Sequence, residues 1–222
     1  MSGAEYFVSD TLRPLMNSIA YLPASTDEAD EKHQANQRDI ELMTKVSMGD
    51  AEAFRMLVET HQFAVTGTVA KMLGSPFEAE DIAQQVFLRV WKSAPRYQPT
   101  AKFKTWLFTI TRNLVYNETR RRQRKPTVSV EAREEFSYQI VRDLRTISPD
   151  SSALHSEFEE AVDKAIQALP KRQRIALLLR KNEEMPYIEI GRVLSATEPA
   201  VKKILFQARI QLRASLRHYI DS

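Results

Sequence analysis

FKTWLFTITRNLVYNETRRRQRK, residues 103–125, reads as one helix with two unlike faces. Phe103, Trp106, Leu107, Ile110 and Leu114 fall at i, i+3, i+4, i+7 and i+11, an apolar stripe that predicts a face turned to a core. Thr109, Arg112, Asn113, Tyr116, Asn117 and Arg120 repeat at three and four on the other side. That side ends in a cationic run, Arg120, Arg121, Arg122, Arg124 and Lys125. Guanidinium and amide groups hydrogen-bond base edges, an aromatic ring stacks on an unpaired base, and clustered cations neutralise phosphates. Taken alone, the spacing fits a solvated basic face almost equally well.

Composition narrows the classes. Of 222 residues, 43% are hydrophobic and 27% charged, as in ordinary globular chains of one or two small domains. Five glycines and little alternation of β-branched residues point to an all-α fold. There is no cysteine, which removes disulfides, thiolate metal sites and thiol nucleophiles. Four scattered histidines and the lack of a Gly-rich phosphate loop give no expectation of a metal or cofactor. The longest apolar run, 175–179, is far too short to cross a membrane, and no basic-then-apolar leader opens the chain. A cytoplasmic protein is expected. Charge is uneven: residues 38–125 hold fifteen basic against nine acidic side chains, whereas 1–37 hold two against six. Basic units joined by acidic stretches suit a polyanionic partner.

Breaks in pattern divide the chain. Residues 1–37 lack a sustained period, close on STDEADEKHQANQ, and are expected to be a loosely ordered extension. A first packed unit spans 38–125: a short helix bearing Ile40, Met43 and Val46, then one capped by Asp50 and ended by Gly74. Ser75-Pro76-Phe77-Glu78 predicts a third helix starting at Pro76 and running to about Ser93. Residues 126–156, rich in Ser, Thr, Pro and acids, are expected to form a flexible linker. A second unit, 157–222, opens on the capping-box pattern Ser156-Glu157-Phe158-Glu159.

That second unit carries another nucleic-acid signature. A short helix ends at Leu194, Ser195-Ala196-Thr197 turns the chain, and a long helix follows with Val201, Leu205, Ala208, Leu212 and Leu216 inward. So tight a turn before a helix with a basic outer face describes a helix-turn-helix, which would present Glu198, Lys202, Lys203 and Phe206 to a groove and Arg209 and Arg213 to phosphates. An ordinary helical hairpin has the same pattern. The helix of residues 76–93 differs: Ala79, Ile82, Ala83, Val86 and Val90 make its core stripe. Asp81, Gln84, Gln85 and Leu88 occupy a neighbouring face, flanked by Phe87 and Trp91. Amide, carboxylate and large apolar groups together suit a protein partner. Phe87 and Trp91 also fit a completed core.

Together, AEDIAQQVFLRVWKSAPRY and FKTWLFTITRNLVYNETRRRQR resemble domain two of bacterial sigma factors, and ALPKRQRIALLLRKNEEMPYIEIGRVLSATEPAVKKILFQARIQLR resembles their domain four. The short linker points to the extracytoplasmic-function group. The resemblance implies a non-enzymatic factor that binds core RNA polymerase and directs initiation at chosen promoters. It assigns Asp81, Gln84, Gln85, Phe87, Leu88 and Trp91 to the β′ clamp helices of the polymerase. It assigns the loop 97–104, with Lys102 and Lys104, and Arg112, Asn113, Tyr116, Asn117, Arg120 and Arg121 to the opened −10 element. Thr197, Glu198, Lys202, Lys203, Phe206 and Arg209 would read the −35 duplex, with the first helices of domain four on the β flap. An anti-sigma factor as partner is left open.

Three departures from the family pattern stand out. Gln85 replaces an acidic residue, Ser195 replaces the turn glycine, and Lys203-Ile204 replaces a Ser-Arg pair. A left-handed backbone is unfavourable for serine, so an altered turn is expected. Loss of the Arg predicts a changed −35 preference. Two rivals remain in the sequence: a DNA-binding regulator of another kind, and a sigma-like interaction protein without promoter recognition.

Overall fold

The computed structural model describes residues 26–124 and 152–220. Among them every regular element is helical, and they divide into two compact units, within Leu22–Thr127 and Val128–Ser222.

In the N-terminal unit, α1 (Thr26–Ser47), α2 (Ala51–Leu73), α3 (Ala79–Ser93) and α4 (Phe103–Arg124) pack around Met43, Leu57, Val65, Val86, Val90, Phe103 and Leu107. Asp50 accepts the Ala53 N–H at 2.9 Å and starts α2. Gly74 ends it in the left-handed region, its N–H bonded to the Ala70 carbonyl at 2.8 Å. Both signals were legible in the sequence.

In this unit two helix starts differ from expectation. The polar run before residue 38 is helical from Thr26, so 26–37 extend α1 rather than a loose tail. Its Ala, Glu, Lys and Gln are strong helix formers and contain no Gly or Pro break. Residues 1–25 lie outside the described residues. Ser75-Pro76 does not cap α3: the chain makes a turn, with the Ala79 N–H bonded to the Pro76 carbonyl at 3.0 Å, and the helix begins at Ala79. Glu78 instead ion-pairs with Arg122 near the end of α4.

The C-terminal unit contains α5 (Ser152–Ala168), α6 (Lys171–Lys181), α7 (Tyr187–Leu194), α8 (Glu198–Ser215) and a final turn, α9 (Arg217–Ile220). Ser156 is internal to α5, not its cap, because Ala153 and Leu154 continue the helix upstream. The linker expected over 126–156 therefore ends before 152, and the rest of that expectation, 126–151, lies outside the described residues. The apolar run 175–179 is fully enclosed against α7 and α8. Arg174, whose proton affinity burial lowers, closes the end of α5 by donating to Gln167 Oε1 at 2.6 Å and to the Leu169 carbonyl at 3.3 Å.

The α7–α8 turn brings its backbone into close approach. Ser195 adopts the left-handed conformation (φ 51°, ψ 53°) that serine was expected to avoid, so the turn keeps its shape and the residue bears the strain. The Ala196 N–H reaches the Gly191 carbonyl at 2.8 Å, and a Cβ on Gly191 would stand 2.6 Å from the Ala196 carbonyl oxygen. Ser195→Gly is expected to stabilise this unit by roughly 0.5–1 kcal/mol, the left-handed penalty less the added chain entropy of glycine. Gly191→Ala is expected to destabilise it by about 1–3 kcal/mol through a backbone clash that cannot relax cheaply. Thermal denaturation of both variants, followed by circular dichroism, checks the opposite signs.

Candidate nucleic-acid interface

The inward face of α4 is not the stripe of the linear reading. Phe103, Leu107, Phe108, Thr111, Val115 and Glu118 are buried, while Trp106, Ile110 and Leu114 are half-buried along its edge. The helix is rolled because two polar residues are satisfied inside. Thr111 Oγ1 donates to the Leu107 carbonyl at 3.0 Å, and Glu118 receives Arg121 at 2.8 and 2.9 Å. Trp106 is consequently only half-buried, at the edge of the face that carries Asn113 one heptad later.

That outer side is partly pre-arranged. Arg112 donates to Asn113 Oδ1 at 2.7 and 3.2 Å, and its guanidinium lies 5.8 Å from the Tyr116 ring centroid. Asn113, Asn117 and Arg120 are exposed, and Tyr116 is half-exposed. The cationic run divides by role. Arg120, Arg121 and Arg124 face solvent, although Arg121 is held by Glu118. Arg122 turns back to Glu78 and Glu118 and fastens α4 to the start of α3.

The loop preceding α4 rests on an aromatic cluster. Tyr97 meets Trp106 edge-on at 4.9 Å and Phe103 at 6.4 Å, and Phe103 lies 5.2 Å from the His61 ring. Burial, aided by the Asp39 carboxylate, raises the proton affinity of the Tyr97 hydroxyl. His61 Nε2 donates to Asp39 Oδ1 at 3.0 Å in a buried pair linking α2 to α1. Asn36 Oδ1 accepts the Phe103 N–H at 3.0 Å. Lys102 is exposed and Lys104 half-buried on either side of this point. The apolar stripe concealed the half-buried edge position of Trp106, and the long sequence separation concealed the role of Asn36.

On α3, Asp81, Gln84, Gln85 and Leu88 form a contiguous exposed face, Leu88 at 56%. Trp91 is half-buried against Phe54, ring centroids 5.0 Å apart. Phe87 is 7% exposed and belongs to the core, which corrects its assignment to the partner face: it lies on the same flank as Ala83 and Val90.

In the C-terminal unit, Thr197, Glu198, Lys202, Lys203 and Phe206 are all exposed, with Arg209 half-buried. Lys202 pairs with Glu198 at 2.9 Å, so the first turns of α8 offer Lys203 as the cation further from a carboxylate. Lys203, Phe206 and Ile210 share one line, the last two 60% and 54% exposed. Ile210 was missed, although its i+4 spacing from Phe206 could have revealed it. Ile204 is half-buried on the flank of α8, away from that line. Among the described residues, no cluster of His, Asp or Glu could hold a metal ion, and no helix is long and apolar enough to cross a membrane.

Residues 57–125 match the family model Sigma-70 region 2, and residues 159–212 match Sigma-70, region 4. The chain is 31% identical to the ECF RNA polymerase sigma factor SigW of Bacillus subtilis, covering 78% of this chain and 94% of that protein. It is 29% identical to the RNA polymerase sigma-H factor of Pseudomonas aeruginosa, covering 82% and 95% respectively. Among solved structures it shares the fold of CnrH, determined in complex with the cytosolic domain of CnrY, with a TM-score of 0.60. Identity there is 22%, over 82% of this chain and 98% of that one. It shares the fold of the sigma factor RpoE from Bartonella quintana, determined with the anti-sigma factor NepR, at a TM-score of 0.57. Identity is 21%, over 75% and 98%. The chain belongs to the ECF group of RNA polymerase sigma factors, which bind core RNA polymerase and direct promoter-specific transcription initiation.

Proposed function

We infer that the three exposed faces divide the work of initiation among polymerase, single-stranded DNA and duplex DNA. Asp81, Gln84, Gln85 and Leu88 on α3, with the edge of Trp91, dock on the β′ clamp helices. Their mixture of carboxylate, amide and apolar surface suits a protein and offers little to a phosphate backbone. Gln85, standing where the family has an acid, removes one charge from that contact.

Arg112, Asn113, Tyr116, Asn117 and Arg120 on α4, with Lys102, Lys104 and Arg121 nearby, hold the unpaired −10 strand. The observation that carries this reading is the preformed set Arg112–Asn113–Tyr116, a guanidinium braced by an amide and resting near a ring. Stacking on an aromatic side chain contributes about 1–3 kcal/mol per base, comparable to the few kcal/mol that unstacking costs. Trp106 joins this face from beneath the loop. In the other unit, Thr197, Glu198, Lys202, Lys203, Phe206 and Arg209 meet the −35 major groove. Ile204 lies off the base-facing line, so its difference from the family Arg removes a flanking contact and shifts the preferred −35 sequence.

Residues 38–125 thus act as the polymerase and −10 unit, and 157–222 as the −35 unit, whose first helices meet the β flap. The factor performs no catalytic chemistry of its own and works in the cytoplasm, where the polymerase transcribes. An anti-sigma factor is a further proposed partner, supported by the NepR complex of the structural relative RpoE.

Full-length protein added to bacterial core polymerase and genomic fragments is expected to generate discrete transcription starts sharing upstream motifs. Polymerase binding without new starts would instead support the interaction-protein reading. On a promoter so found, Arg112→Ala with Asn113→Ala is expected to reduce promoter opening at least about tenfold while core affinity stays within about twofold. Equal loss of both would overturn the assignment. Lys202→Ala with Lys203→Ala is expected to weaken duplex binding and lower its salt slope by up to about two, measured by titration at several ionic strengths.

A further inference from the structure

The first amide of a helix has no partner within that helix and needs an acceptor from elsewhere when it is shielded from water. For α4 that amide belongs to Phe103, a residue with no exposed surface. Lys102, which precedes it and whose carbonyl accepts the Trp106 N–H at 3.2 Å, carries no acceptor in its side chain. The acceptor comes from 67 residues upstream, Asn36 Oδ1 on α1, at 3.0 Å.

The same helix braces the other end of the loop. α1 packs against the 3-10 turn Ala94–Arg96 that leads into residues 97–102. Four residues from Asn36, Ile40 is half-buried, and Asp39 between them reaches His61, whose ring lies 5.2 Å from Phe103. The loop backbone contributes a bond from the Thr100 N–H to the Gln98 carbonyl at 2.8 Å. Entry and exit of this loop are therefore both set by α1. Tyr97 and Trp106, in edge-on contact at 4.9 Å beside Phe103, inherit their positions from that clamp.

We propose that Asn36 is a positioning residue for promoter opening: by capping Phe103 it fixes the loop 97–102 and Trp106 in the geometry that receives the unpaired −10 strand. It touches no DNA itself. This rests on the reading of that loop and α4 as the −10 contact. Removing the acceptor leaves a buried donor unsatisfied at the root of the loop, whereas the α3 face keeps its own supports at Ile82, Val86 and Val90. Opening should suffer and polymerase docking should not.

The test uses full-length protein, core polymerase and a promoter recovered by start-site mapping, with permanganate reactivity of −10 thymines as the measure of opening. Asn36→Ala is expected to lower the opening equilibrium about fivefold at saturating holoenzyme, the typical effect of losing a cap. Core affinity should stay within about twofold of wild type. Asn36→Asp keeps the acceptor and is expected to restore opening to within about twofold. The proposal is overturned if Asn36→Ala opens DNA like wild type, if core binding falls in step with opening, or if Asn36→Asp is no better than Asn36→Ala. Parallel measurements on Trp106→Ala and Lys102→Ala separate the two levels. Opening that ignores the loop variants sinks the −10 reading and this proposal together, whereas dependence on the loop without dependence on Asn36 sinks the proposal alone.

Discussion

A buried helix start with no acceptor of its own constrains much of the N-terminal unit. Phe103 must be inside, because its ring is the surface on which His61, Tyr97 and Trp106 converge. Once it is inside, its amide must be met, and Asn36 meets it. That places α1 beside the loop, which brings Asp39 against His61 and secures α1 to α2 by a buried polar link. An unsatisfied buried donor costs about 1–3 kcal/mol, a substantial part of the stability of a small domain. The cap and the His–Asp pair therefore specify the register of α1 more sharply than its apolar contacts alone, since hydrophobic burial is non-directional and tolerates sliding.

The basic end of α4 shows how one composition serves two purposes. Four arginines lie among residues 120–124, and a purely electrostatic reading gives all of them to phosphates. The fold withdraws Arg122 to Glu78 and Glu118, and Glu118 also moderates Arg121. Glu118 is buried and could not remain there as a lone carboxylate; its guanidinium partners make its place in the core tolerable. Part of the positive charge thus stabilises the α3–α4 junction, and the exposed remainder is available to a polyanion.

The all-helical fold, the ends of α2 and the inward stripe of α8 were legible because they rest on local rules. Asp50 and Gly74 bracket α2 as cap and left-handed terminator, and the inward stripe of α8 is apolar at every expected position. What escaped involves partners distant in sequence or polar groups satisfied indoors. The roll of α4 could not be read because Thr111 and Glu118 look like surface residues and Trp106 looks like core. Asn36 sat in a run that seemed merely hydrophilic, and its partner is 67 residues away. The exposed face Asp81–Gln84–Gln85–Leu88 was visible from spacing, but Phe87 could be separated from it only once the packing of α3 was known. Ser195 shows the opposite error: local preference argued for a different turn, and the close approach of Gly191 to Ala196 overruled it.

The packing of α3 on α4 gives these pieces a common mechanical sense. The two helices contact each other along their buried faces, and the Glu78–Arg122 ion pair joins the beginning of one to the end of the other. A partner that seizes the exposed side of α3 therefore fixes α4 in orientation as well as in place. On the proposed division of labour, polymerase binding delivers the Arg112–Asn113–Tyr116 face to the DNA already positioned, and capture of an unstacked base becomes an event within one assembly. The entropy of bringing two molecules together is then spent on the polymerase contact, which need not distinguish promoters. The modest contacts of α4 need only offset the local cost of unstacking. Selectivity follows from that near-balance, because a sequence that unstacks less readily, or fits the face less well, shifts an equilibrium that no large surplus of binding energy holds open.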